Sequence, residues 1–161
     1  MSESGGGPVP VLVLAVGNPS RGDDAIGPQL AERLEAAGLQ GVEVIVEFQL
    51  QVENALDLVG RERVIFVDAG TGTPEPYELR RVAAVADFLH TSHAISPESV
   101  LATYERLHGA PAPEAWVLCV RGESFELGAP LSGTVACRVE AAWKALLGAV
   151  GAPPETQNAQ P

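Results

Sequence analysis

The sequence predicts an α/β protein: a three-layer α/β/α sandwich around a mostly parallel, twisted sheet of about five strands, with one antiparallel edge strand. Three observations predict it. Unbroken apolar runs at 9–16, 64–67 and 116–120 read as strands buried on both faces. Amphipathic stretches at helical spacing separate them. The resulting order, β-α-β-α-β-β-α-β-α, alternates strand with helix except where two strands follow one another.

The first run leads into a Gly-rich turn and then a helix, in which Ile26, Leu30, Leu34 and Ala37 recur at helical spacing. Pro28 suits the first turn of that helix and Gly38 its end. Val42, Val44, Val46 and Phe48 alternate as a strand does, and Val52, Ala55, Leu56 and Val59 give the apolar face of a short helix stopped at Gly60. The run 64–67 ends at Asp68-Ala69-Gly70, a turn-rich connection follows, and 77–83 forms the edge strand. Ser96-Pro97-Glu98 starts a helix with a capping hydroxyl, a proline and an acid in the first turn. Val100, Leu101, Tyr104 and Leu107 supply its apolar face before Gly109. After the strand at 116–120, Ser132 caps a last helix carrying Val135, Val139, Ala142, Trp143 and Leu146. A single domain over 9–147 is expected, with flexible ends at 1–8 and 148–161 by composition.

A length of 161 residues suffices for one domain with a substantial core. The net charge of −11 argues against nucleic-acid or anionic-membrane partners. The run 9–16 is too short to span a bilayer, and Glu3 is the only charge before it, so no cationic signal region is present. Cys119 and Cys137 match no zinc or redox spacing and read as structural. A cytoplasmic monomer is the expectation.

Three candidate sites follow strand-like runs: Asp23 and Asp24 after the first, Asp68 after the third, and His93 after the edge strand. In an open parallel sheet these loops share one rim, where ligand sites gather. Carboxylates and an imidazole there suit a divalent transition metal or an acid/base pair. Plainer readings stay open. Asp23 and Asp68, taken singly, read equally well as caps of a turn or helix. Asp24 adds a repulsion that a purely structural turn does not require. His93 sits in the small, partly apolar Ser92-His93-Ala94-Ile95-Ser96, and His90 competes with it. His108, near a helix end, reads as a dipole partner. The first turn is neither a phosphate-binding Gly-Lys-Ser/Thr loop nor a three-glycine dinucleotide turn, and the chain has no Gly-x-Ser-x-Gly elbow. Residue patterns alone reach an α/β domain with a metal or acid/base site, and no further.

The same residues resemble the hydrogenase maturation endopeptidases, over about 9–147. The most specific element is Val16-Gly17-Asn18 followed by Gly22-Asp23-Asp24-Ala25-Ile26-Gly27. Val64-Ile65-Phe66-Val67-Asp68-Ala69 is similar to the family's second motif, Ser92-His93 to its third, and Leu131-Ser132 to its lead into the final helix. The resemblance implies a twisted sheet flanked by helices. It also implies cleavage of a short C-terminal extension from the large-subunit precursor of a nickel–iron hydrogenase, once nickel is installed. It carries metal contacts onto Asp24, Asp68 and His93; the first of these positions is Glu in many members and Asp in others. Nickel then arrives with the precursor, and no tightly bound cofactor of the protein's own is expected. Segments 48–53 and 119–128 are similar to proteases serving soluble, NAD-reducing hydrogenases, with Gln49 and Glu53 lining the substrate groove or, for Glu53, merely exposed on a helix.

The mechanism so implied is that of an endopeptidase in which Asp24, Asp68 and His93 form an incomplete coordination site that reads the precursor's nickel. Hydrolysis then uses a metal-polarised carbonyl or metal-activated water, with Asp24 or Asp23 as general base. Two rival readings are a non-catalytic module that binds a metal-loaded partner and a stand-alone divalent-metal hydrolase.

Overall fold

A computed structural model describes residues 9–85 and 95–151. Its sheet has five strands: β1 (Val11–Val16), β2 (Val42–Glu47), β3 (Arg63–Gly70), β4 (Tyr77–Val82) and β5 (Glu114–Arg121). Their order is β2-β1-β3-β5-β4; β1, β2, β3 and β5 run parallel, and β4 lies antiparallel against β5 at one edge. This is the architecture the sequence predicts. The three central strands are those with continuous apolar runs: Leu12 to Ala15 and Val64 to Val67 are fully buried. Strands covered on both faces have no solvent side on which to place alternate polar residues.

Two apolar layers result. On one face, Ile26, Leu30 and Leu34 of α1 (Ile26–Ala37) and Ala142 and Leu146 of α3 (Ala136–Ala149) pack on Val13, Ile65 and Leu118. On the other, Val100 and Leu101 of α2 (Pro97–His108), with Ala55 and Leu58, pack on Leu12, Phe66 and Val117. Each fully buried Leu or Phe stabilises the fold by roughly 1.5–3 kcal/mol. Gly38 and Gly109 end α1 and α2 in the left-handed conformation, and Ser96 caps α2 by accepting from the Ser99 amide at 3.1 Å.

Three local expectations are corrected. Residues 52–58 form a 3-10 helix, Val52–Leu58, rather than an α-helix. At three residues per turn, Ala55 and Leu58 share the inward row while Leu56 and Val59 share another and are exposed; Val52, at the start of the 3-10 helix, is exposed as well. Ser132 does not cap the short 3-10 turn Gly133–Val135 that precedes α3; its hydroxyl is turned to Asp23. Last, α3 runs through Ala149, two residues beyond the expected domain edge.

Chain direction in the sheet reverses beside β1. From β1 the chain passes through α1, on one face, to β2 on one side; from β2 it passes along the opposite face to β3 on the other side. The carboxyl ends of β1 and β3 therefore border a crevice at the topological switch point, the place where open α/β sheets bind ligands.

Candidate active site

Asp24 belongs to the 3-10 turn Gly22–Ala25 that follows β1, and Asp68 to the carboxyl-terminal part of β3, so both carboxylates come to this crevice. The turn is built by close approach. Gly17 (φ 154°) lies where a Cβ would collide with the Asp24 carbonyl. Gly22 (φ 56°) lies where a Cβ would collide with the Ser124 carbonyl. Only glycine fits both the left-handed backbone and the missing space. The folded-back turn lets the Asn18 N–H donate to Asp24 Oδ2 at 2.7 Å, fixing that carboxylate while leaving Oδ1 available.

Asp68 is placed differently. Among the described residues its Oδ1 accepts only the neighbouring Ala69 N–H, at 2.7 Å. Burial pushes its carboxyl up to about 6 from the ordinary 3.8; the Ala69 bond opposes the shift and the negative charge of Asp24 adds to it. Asp24 and Asp68 therefore feel each other electrostatically, and among the described residues the pair has no ion-pair partner. Such an arrangement suits a cation: oxygen donors are gathered where a positive charge relieves both burial and repulsion. Among the described residues no third His, Cys, Asp or Glu completes a metal cluster with the pair. His93, the expected third ligand, and His90, its competitor, lie outside the described residues.

Asp23 is held differently from Asp24. Its side chain is completely buried and accepts four hydrogen bonds: from Glu123 N–H (2.6 Å), Ser124 N–H (3.0 Å), Ser132 N–H (2.8 Å) and the Ser132 hydroxyl (2.8 Å). Burial alone would raise its pKa, but the four donors outweigh it and hold the carboxyl below the ordinary value. A carboxylate so satisfied is suited to a structural role. It fastens the segment after β5 onto the turn that carries Asp24. The buried Arg138 of α3 grips that segment from behind, pairing with Glu123 at 2.8 Å and Glu75 at 3.1 Å.

Two neighbours of the site escaped the sequence reading. Asn18 was part of the motif but had no assigned task; its backbone, not its side chain, holds Asp24. Cys119 stands beside Asp68 in the β3–β5 register, with its sulfur 3.1 Å from Thr73 Oγ1. Burial pushes the thiol pKa up, so it is a neutral group facing the site. Cys137, by contrast, is exposed on α3.

No protein-family model matches the chain, and no curated protein matches it. Solved structures do. The hydrogenase maturating endopeptidase HybD from E. coli superposes with a TM-score of 0.67 at 27% identity, over 87% of this chain and 91% of that one. An endopeptidase from Escherichia coli solved in solution gives 0.64 at 26% identity, over 87% and 91%. The [NiFe] hydrogenase maturation protease HycI from Thermococcus kodakarensis KOD1 gives 0.66 over 88% and 92%, and at 19% identity it speaks for the fold alone. The fold is shared over most of both chains and the sequence is similar to HybD, so this protein resembles the hydrogenase maturation endopeptidases in fold and sequence.

Proposed function

We propose that the protein is an endopeptidase that removes the C-terminal extension from the large-subunit precursor of a nickel–iron hydrogenase, after nickel has been installed in that precursor. The observation that carries this reading is the pair of carboxylates at the switch point, each with a single donor and neither with an ion-pair partner among the described residues. A site assembled with too few ligands for a resident metal suits a metal delivered by the substrate. Nickel is then cargo, the protein holds no tight cofactor of its own, and it acts as a cytoplasmic monomer. No helix among the described residues is long and apolar enough to cross a membrane.

In this mechanism Asp24 and Asp68, with His93, contact the precursor's nickel and bring the scissile peptide to the crevice. Asp24 keeps one oxygen free of protein donors and serves as general base toward the attacking water. Asp23 positions the turn that carries Asp24. A precursor without nickel offers nothing to relieve the repulsion between Asp24 and Asp68, and it is not retained. The similarity of segments 48–53 and 119–128 to proteases of soluble, NAD-reducing hydrogenases supports a precursor of that class.

The test is the intact mass of a cognate precursor, nickel-loaded and nickel-free, after incubation with wild-type protein and with Asp24→Asn. Loss of a short C-terminal peptide from the loaded precursor alone, and only with wild type, is the expected result. The Asn side chain keeps the Asn18 bond, so the variant folds. Full cleavage by Asp24→Asn removes that residue from the mechanism, and cleavage of both precursors removes the nickel gate.

A further inference from the structure

Asp24 is held by the N–H of the Gly17–Asn18 peptide, and that peptide follows a glycine. Glycine has the widest backbone range of any residue, so local sterics leave the direction of this N–H open. The bonds that fix it lie on the far side of the peptide. The Asn18 side chain accepts the Ser20 N–H through Oδ1 at 2.8 Å, closing an Asx turn across Pro19. The Asn18 carbonyl accepts the Arg21 N–H at 3.0 Å, so residues 18–21 form a β-turn with proline in its second place. Asp24 N–H donates to the Arg21 carbonyl at 3.0 Å, and Asp24 Oδ2 returns to Asn18, which closes a ring of bonds.

Both sides of this ring rest on fixed supports. Upstream, Gly17 N–H donates to the Glu47 carbonyl of β2 at 2.9 Å. Downstream, the Ser20 carbonyl accepts the Gly128 N–H at 2.6 Å, from the segment that Asp23 fastens. Ser20 therefore offers Asn18 a stationary donor. Asparagine also suits the place electrically: its Oδ1 accepts without charge, whereas aspartate would bring a third carboxylate to a turn that already carries Asp23 and Asp24.

We propose that the Asn18 side chain is a positioning residue for the general base. Its bond to Ser20 aims the Asn18 N–H at Asp24 Oδ2, which pins that oxygen and leaves Oδ1 as the one that meets the precursor and the attacking water. The inference rests on the endopeptidase reading. The rival is that Asn18 merely helps the chain to turn, as Asn does before Pro in many β-turns. The two differ in what disappears with the side chain: positioning loses rate in the folded enzyme, whereas turn formation loses the folded enzyme itself.

The test compares wild type, Asn18→Ala and Asn18→Ser on the purified, nickel-loaded precursor, with thermal unfolding and the backbone amide NMR spectrum of each protein alone. Alanine removes the acceptor, and serine restores a shorter, weaker one. The expected result for Asn18→Ala is a kcat lowered about ten- to hundredfold, as for a catalytic group displaced by about 1 Å, with KM within about twofold and Tm within a few degrees of wild type. Asn18→Ser should fall between the two. In the proteins alone, the residue 18 amide proton should lie downfield in wild type, through its short bond to a carboxylate, and move upfield in Asn18→Ala. A wild-type kcat in Asn18→Ala, an equal kcat in both variants, or a rate loss no larger than the lost folded fraction overturns the proposal. If wild type leaves the precursor uncut, the endopeptidase reading fails separately. The spectra then decide: an upfield move on substitution upholds the hold on Asp24, and an unchanged amide overturns it.

Discussion

Replacing Asp68 by Asn should make this protein more stable at neutral pH while removing its activity. In the folded protein the Asp68 carboxyl titrates near 6, against 3.8 for an ordinary aspartate. The folded state therefore binds this proton more tightly than the unfolded chain does. Stability falls as pH rises from about 4 to about 6, and the deficit is complete above that window. Roughly two pH units at 1.36 kcal/mol each set an upper bound of about 3 kcal/mol on the cost of the ionised group. Asn is neutral throughout, and its Oδ1 can still accept the Ala69 N–H that Asp68 accepts at 2.7 Å. At pH 7.5 the variant should gain about 1–3 kcal/mol, a rise of roughly 2–10 °C in Tm for a chain of this length. Near pH 4 the two proteins should converge. Urea unfolding of both at the two pH values measures this as a shift in midpoint at constant m. A variant less stable than wild type at pH 7.5, or a gain that persists unchanged at pH 4, would refute the reasoning, since either means that the native carboxylate is not an uncompensated buried charge.

Asp23→Ala tests the opposite case. It leaves the amides of Glu123, Ser124 and Ser132 without their acceptor and should cost about 4 kcal/mol, read as a loss in urea midpoint at pH 7. Because the Asp23 pKa is lowered in the fold, its contribution is fully present above about pH 4 and is lost as pH falls below that, so wild type and variant should converge in strong acid. Gly22→Ala forces a side chain into the left-handed region and against the Ser124 carbonyl; it should lower the Tm by several degrees and cut cleavage at least tenfold through displacement of Asp24. Retained activity in that variant would show that the turn tolerates a looser seat for Asp24.

Much of the architecture was readable from the sequence because burial on both faces leaves a plain mark. The runs at 9–16 and 64–67 have no polar alternation, and they became the central strands. Ser96 and Gly109 marked the ends of α2 for reasons of local chemistry that tertiary contacts did not disturb. The 52–58 segment differs from the expectation because the same residues satisfy one face at 3.6 residues per turn and two separate rows at three. Strand order was not legible at all: it depends on which side of the sheet each crossover takes, and no residue spacing encodes that. Of the site, Asp24 and Asp68 were legible as acids at strand ends. The Cys119 thiol was not, since its place beside Asp68 arises only when β3 and β5 pair in register.

The assignment of roles within Asp23-Asp24 shows most clearly what a sequence withholds. Two adjacent aspartates are chemically identical in the chain, and repulsion between them argues only that one must be compensated. The fold decides which. Asp23 points into the protein and meets four donors from a segment about one hundred residues later, so its charge is fully answered. Asp24, one residue on, faces the crevice with one donor and the neighbouring charge of Asp68. The firm hold on the first carboxylate is what allows the second to remain undersupplied without the turn relaxing to relieve it. In the proposed mechanism the site waits for a metal-bearing partner, and the loop fastened by Asp23 and Arg138 keeps that deficit in place.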